Sequence, residues 1–356
     1  MISKNNVQWF PPPIEGKSNL PVFFYQNRVF RGVTQKYAPA FSELFNSALI
    51  ATLTKLRLIP KTWIVKEHIK EAEEFEFLIE QEKLSYTIYP QEWTFTMLKQ
   101  AAICVLNVNK ISAQYGYETY DCHGFNVLYN GGWPQFIDIG SFQKKTSSTW
   151  AALDEFLRCY LFPLKCWSEG HFYLAHRILA DNYWNRFLPK ETYYHAGFES
   201  WLHCPTNFEE IINRVNQFSE KKHHSLWANY HDEYYTAEGT LQEHTRFEKI
   251  LSIVKALPIQ TAHDMAGNAG VFAKMLLEHT TIKHILCSDK DVNAINTCFE
   301  RCINDTSLKD SISCVLLNFM APIQNYGNLT LTERFGSDAV FALALFHHLI
   351  LSDHSP

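Results

Sequence analysis

Residues 261–270 read Thr-Ala-His-Asp-Met-Ala-Gly-Asn-Ala-Gly: a short apolar run reaches Asp264, and small residues follow at once. Beyond them the pattern becomes helical. A strand that turns through Ala266, Gly267, Asn268 and Gly270 into a helix gathers backbone N–H groups and a helix N-terminus at one spot. Small side chains there let a ligand approach the backbone closely. Taken alone, the same turn also fits a plain strand–helix connection. A second acid, Asp289, ends the run Lys-His-Ile-Leu-Cys-Ser-Asp 25 residues further on. That is near the roughly 20-residue spacing at which nucleotide-binding βαβ units set a carboxylate against ribose hydroxyls. A third run, Cys-Val-Leu-Leu-Asn, ends in Asn318, whose amide can pair with an adenine edge. A fourth begins at Asp338 and carries His347 and His348 at its far end, the end where open α/β sheets place their sites. Two readings stand for these histidines. Either one caps the core while the other is solvated, or an imidazole takes a proton from a reacting group.

The spacing of Asp121, Asn126 and Asp138-Ile139-Gly140 poses a second chemistry. It looks like the catalytic loop and metal-binding strand of a kinase-like fold, where the first Asp positions a hydroxyl and Asn126 and Asp138 hold magnesium. The phosphate-gripping half is not visible. No glycine-rich loop precedes the motif, and Lys66 is a weak candidate for the strand lysine. The expectation is a relic in which Asp121 holds its loop through backbone hydrogen bonds. Active phosphotransfer is the alternative.

These residues need elements to position them. Residues 38–58 and 94–115 carry apolar positions at helical spacing, the second pattern closed by Gly116. Phe-Asn-Val-Leu-Tyr-Asn and Gln-Phe-Ile-Asp-Ile-Gly-Ser-Phe flank Gly131-Gly132-Trp-Pro, which is a hairpin signature. Residues 206–224 and 238–256 read as connecting helices. After Thr261 short apolar runs alternate with helical patterns, the rhythm of a parallel sheet. An α/β protein of two parts is therefore expected.

Composition sets the outer limits. At 356 residues, with 46% hydrophobic and 19% charged residues, the chain is globular and long enough for two domains. A net charge of −5 offers no bulk attraction to nucleic acid or to an anionic membrane. The N-terminus lacks the apolar core of a signal peptide, and no run of about 18 apolar residues appears, so a cytoplasmic protein is expected. Nine cysteines include no CxxC pair. Cys298 and Cys302, four apart on an expected helix, read as two buried thiols, and no metal site is expected.

The motifs in order carry a family resemblance. Asp-Met-Ala-Gly-Asn-Ala-Gly, Ser-Asp-Lys-Asp, Leu-Leu-Asn-Phe-Met-Ala-Pro and Ala-Leu-Ala-Leu-Phe-His-His-Leu together resemble a class I S-adenosylmethionine-dependent methyltransferase, in particular the group related to nodulation proteins. Ala266 stands where that group has glycine, and Asn318 where it has aspartate. Upstream, Tyr89-Pro-Gln-Glu-Trp-Thr-Phe and the Asp121 to Phe142 stretch are similar to the same group, so the likeness runs from about Val29 to His348. It implies a kinase-like α+β domain over 1–205, a helical connector over 206–250 and a Rossmann-like sheet over 251–356. It also implies S-adenosylmethionine as cofactor, held by Asp264, Ala266, Gly267, Asn268, Gly270, Asp289, Asn318 and Asp338, with His347 and His348 beside the methyl donor. The implied acceptor is a small molecule or glycan. The group's sheet has further strands after the one at Asp338, so the unit is expected to be incomplete at its C-terminus, as a fragment or a natural truncation. A non-catalytic binding or scaffold protein is the alternative from another class. An ATP-dependent kinase using Asp121, Asn126 and Asp138 is the third reading. Oligomeric state is open.

Overall fold

The computed structural model describes residues 7–9, 20–65, 72, 74–180, 204–222, 225, 245–318, 320, 329–343 and 345–351. Five antiparallel strands open the chain: β1 (Val7–Trp9), β2 (Val22–Tyr25), β3 (Arg28–Val33), β4 (Thr62–Ile64) and β5 (Phe77–Gln81), in the order β1-β2-β3-β5-β4. Gln26 and Asn27 close β2 onto β3 with φ of 48° and 63°, the left-handed pair that a two-residue hairpin turn requires. The helical pattern over 38–58 is split into α1 (Ala38–Asn46) and α2 (Leu49–Lys55), because Ala48 adopts a φ of 63° between them.

The central element is α3 (Phe95–Gln114), started by Thr94, whose hydroxyl accepts from the Met97 N–H. Around α3 lie β6 (Tyr117–Thr119), β7 (Val127–Asn130), β8 (Trp133–Phe136) and β9 (Phe142–Lys144). β7 and β8 form the expected hairpin, with Asn130 opposite Trp133 across Gly131 and Gly132. Glycine is required there. A Cβ on Gly131 would lie 2.2 Å from the Lys309 carbonyl, and the Gly132 N–H donates to that same oxygen at 2.7 Å. α4 (Leu153–Phe156), a π-helical turn over Leu157–Leu161, α5 (Phe162–Ser168) and α6 (Phe172–Ala180) continue the helical layer. α7 (Phe208–Gln217) packs along α3, and Lys99 ties them by donating to the Asn216 and Phe218 carbonyls.

The C-terminal part starts with α8 (Thr245–Val254) and builds a parallel sheet of β10 (Thr261–Met265), β11 (His284–Asp289), β12 (Ile312–Leu316) and β13 (Ala339–Phe341). The spatial order is β12-β11-β10-β13. Helices α9 (Val271–His279) and α10 (Val292–Asn304), with the short α11 (Thr306–Lys309), connect the first three strands, and α12 (Leu331–Phe335) precedes β13. The chain steps outward from β10 to β12, then returns to place β13 on the other flank of β10. The order therefore reverses between β10 and β13.

One expectation changes here. The Asp338–Leu345 run is not one long strand: β13 stops at Phe341, and His347 and His348 lie in the helix α13 (Phe346–Leu351). One buried cluster runs from Leu20 to Phe335 through both parts. The Tyr129 ring meets Phe299 edge-on at 5.5 Å, and the Thr96 N–H donates to the Asn296 side chain at 3.0 Å. Among the described residues, no helix is long and apolar enough to cross a membrane.

Candidate functional site

Asp264 and Asp289 end neighbouring parallel strands, so register brings their carboxyl ends to the same edge of the sheet. The turn after β10 is tight because Ala266, Asn268 and Gly270 take φ values of 56°, 50° and 76°. Asp289 braces it: one carboxylate oxygen accepts from the Asn268 N–H at 2.9 Å, the other from the Asp291 N–H at 2.8 Å. Three more turn N–H groups are engaged as well. Gly267 donates to the Ser288 carbonyl, Ala269 to the Asn268 side chain, and Gly270 to the Gly267 carbonyl. Four of the N–H groups expected to form an open cradle, those of residues 267–270, are thus taken up inside the protein. What faces inward from the turn is a carboxyl group.

That group belongs to Asp264, which is buried and whose Oδ2 has no hydrogen-bond partner. A Cβ on Gly267 would come within 2.6 Å of this oxygen, so the glycine lets the backbone fold over the acid. Burial pushes the Asp264 carboxyl up to about 8, reinforced by Cys298 and Asp289 and opposed by the Ala273 N–H. Burial also raises Asp289 to about 6, against the pull of its backbone donors. A buried carboxyl with one oxygen left unpartnered beneath a glycine turn is suited to receive a cationic group. Gly270 is confined in the same way: an added Cβ would sit 2.4 Å from the Cys298 sulfur, at a φ that disfavours side chains. Gly270→Ala is therefore expected to destabilise the fold by about 1–3 kcal/mol, the range for overpacking, measured by urea denaturation.

Other expected site residues fall elsewhere. Asn318 follows β12 at the correct end of the sheet, exposed, with its side-chain oxygen accepting from the Met320 N–H at 3.1 Å. Asp338 is a correction. It precedes β13 at the amino end of the sheet, where its carboxylate accepts from the Gln260 and Thr261 N–H groups at 3.0 and 2.9 Å. Because β10 and β13 are parallel, a residue before β13 cannot reach the edge that holds Asp264. Asp338 pins the start of β10. The side chains of His347 and His348 lie outside the described residues. A cavity lined by Ala269, Gly270, Lys274, Cys298, Arg301 and Cys302 runs along the flank, behind the turn and not in front of Asp264.

The kinase-like motif comes together, but closed on itself. Asp121, Asn126 and Asp138 are all buried. The Asn126 amide donates to Asp121 at 3.2 Å, and the Cys122 N–H donates to Glu155 at 2.7 Å. Burial raises the Asp121 carboxyl to about 6, with His123 opposing and Glu155 reinforcing the shift. Arg31 on β3 meets Asp138 with its Nη1 at 2.9 Å. Its Nε and Nη2 are fixed by the Gln81 side chain and the Ile137 carbonyl. A guanidinium therefore occupies the charged face of Asp138, where an active kinase-like site would hold magnesium. No local pattern marks Arg31 in the sequence, because the pairing is made by the packing of β3 on the loop. Lys66 lies outside the described residues.

No protein-family pattern matches the chain. Nodulation protein NoeA of Rhizobium meliloti (strain 1021) is 23% identical to it over 312 residues. The match covers 77% of this chain, so it extends over both halves, and 65% of the relative's length. The chain thus spans less than two thirds of that relative. The similarity is distant.

Proposed function

We propose that the parallel sheet is a Rossmann-like, class I methyltransferase unit that binds S-adenosylmethionine and serves methyl transfer to a small-molecule or glycan-type acceptor. The observation that carries this reading is the buried, unpartnered Asp264 Oδ2 beneath the turn at the carboxyl end of β10. It lies where the strand order reverses, the place at which open α/β sheets bind ligands. The ammonium of the cofactor's amino-acid part supplies the missing partner. Asp289 accepts from the backbone of Asn268, Lys290 and Asp291, and of a carboxylate's roughly four lone-pair sites one is left for a ribose hydroxyl. Asn318 offers the adenine an acceptor at the same edge. When bound, the cofactor supplies an electrophilic methyl group. The resemblance of the motifs and the distant similarity to NoeA support the same class. For the N-terminal part the reading is a kinase-like relic, supported by the Arg31–Asp138 pair.

Titration of the protein with S-adenosylmethionine, and separately with ATP and magnesium, while following the melting temperature tests both halves. A rise with the first and none with the second is expected. Asp289→Ala removes a charged acceptor and is expected to weaken cofactor binding by about 2–3 kcal/mol, roughly 30- to 150-fold, measured by calorimetry. Unchanged affinity in a folded Asp289→Ala protein takes Asp289 out of the site. A melting shift with magnesium and ATP that Asp138→Ala abolishes moves the kinase reading ahead. Cofactor binding with no methyl transfer to any acceptor favours a binding or scaffold role.

A further inference from the structure

Four cysteines converge behind the turn: Cys287 from β11, Cys298 and Cys302 from α10, and Cys314 from β12, all buried and unbridged. The sulfurs of Cys298, Cys302 and Cys314 all lie within 4.8 Å of one another, and the Cys314 thiol donates to Cys298 at 3.4 Å. Cys287 contacts Cys298 as well. Metal–sulfur bonds of about 2.3 Å in a tetrahedral site put ligand sulfurs about 3.8 Å apart, so these three already stand close to ligand spacing. Helical spacing of four residues turns Cys298 and Cys302 to one face, and β12 brings Cys314 up to them.

Buried thiols ordinarily serve as small apolar groups. Here a further observation points to an ion. The flank cavity is lined by Cys298 and Cys302, which gives an ion a route to otherwise covered sulfurs. Lys274, Arg301, Glu300 and Asp305 line the same cavity, so the approach carries charges of both signs.

We propose that Cys298, Cys302 and Cys314 bind a soft, thiophilic cation, zinc being the expected one, with the fourth position left to a ligand from the cavity. Each ligand thiol loses its proton as its sulfur–metal bond forms, so loading releases protons to solvent. The bound ion ties α10 to β12 and fixes Cys298 against Gly270. This site does not depend on the cofactor reading.

The test uses the whole chain, reduced, stripped with chelator and then reloaded. Zinc is counted by mass spectrometry, and cobalt serves as a spectroscopic probe whose thiolate bonds give a near-ultraviolet charge-transfer band. One zinc per chain surviving gel filtration, a cobalt–thiolate band and a raised melting temperature are expected. Cys302→Ala and Cys314→Ala should lower the zinc content at least tenfold, while Cys166→Ala, a buried thiol on α5 outside the cluster, keeps it. Wild-type protein that retains no zinc, or binds cobalt without a thiolate band, overturns the site even where a variant fails to fold. Full zinc content in folded Cys302→Ala and Cys314→Ala proteins overturns it as well.

Discussion

Asp264→Asn is expected to stabilise the ligand-free protein at pH 8 while weakening the S-adenosylmethionine binding proposed for it. Burial raises the Asp264 carboxyl to about 8, against about 3.9 in an unfolded chain. The native state therefore keeps a proton that the unfolded state gives up, and stability falls as pH rises from about 4 to about 8, by about 1.4 kcal/mol per pH unit. Asp289 and Asp121, raised to about 6, and Glu220, raised to about 7, act with the same sign but lower in pH. Burial lowers His176 and His263 to about 4, and these lose stability in the opposite direction, as pH falls below about 6.5. Among these groups Asp264 alone acts between pH 7 and 8. An asparagine has no proton to lose, so the variant's stability should be flat there and exceed the wild type's by on the order of 3–5 kcal/mol at pH 8. With no negative charge for the ammonium group, cofactor affinity should drop at least about tenfold, the equivalent of about 1.4 kcal/mol. Urea denaturation across pH 6.5–8.5 and calorimetry at pH 8 read the two effects. A wild-type stability independent of pH in this window, or equal cofactor affinity in both proteins, removes Asp264 from the role.

Arg334→Met should cost about 3–5 kcal/mol of folding stability, the range for breaking a buried ion pair from one side. Arg334 on α12 donates to both carboxylate oxygens of Glu92 at 2.7 Å, and to the Thr87 carbonyl at 3.0 Å. Its guanidinium lies over Tyr89 and Phe335, at 4.6 and 4.4 Å from the ring centres. Glu92 also accepts from the Tyr89 N–H, which shapes the short Pro90–Glu92 turn ahead of α3. The pair thus joins the N-terminal part to the connection into β13. Methionine leaves the Glu92 charge buried without its partner. Replacing both, as Glu92→Gln with Arg334→Met, should recover part of the loss, because the stranded charge is gone. Equal destabilisation by the single and double variants in urea would show that packing, and not charge, sets the cost.

Much of this was legible in the sequence. The spacing of apolar residues placed α3, the β7–β8 hairpin and the first three parallel strands, since each depends on residues a few positions apart. The same locality placed Asp264 and Asp289 at strand ends, with a small-residue turn between them. Locality also misled. Asp338 opens an apolar run just as Asp264 closes one, but in a parallel sheet the start of a strand faces the opposite edge. Helical residues after Phe341 continue the apolar pattern of β13, so the strand seemed longer than it is.

By itself the sequence determined the alternation of strand and helix, the glycine positions and the two strand-end acids, because short-range periodicity and backbone sterics settle those. Tertiary structure decided which charges and thiols meet. Arg31 reaches Asp138, Arg334 reaches Glu92 and Cys314 reaches Cys298 only because strand register and crossovers bring distant segments together. It also decided that the N–H groups of residues 267–270 are taken up by Asp289, Ser288 and the turn itself while Asp264 Oδ2 is left without a partner, since burial and hydrogen-bond balance are properties of the packed chain.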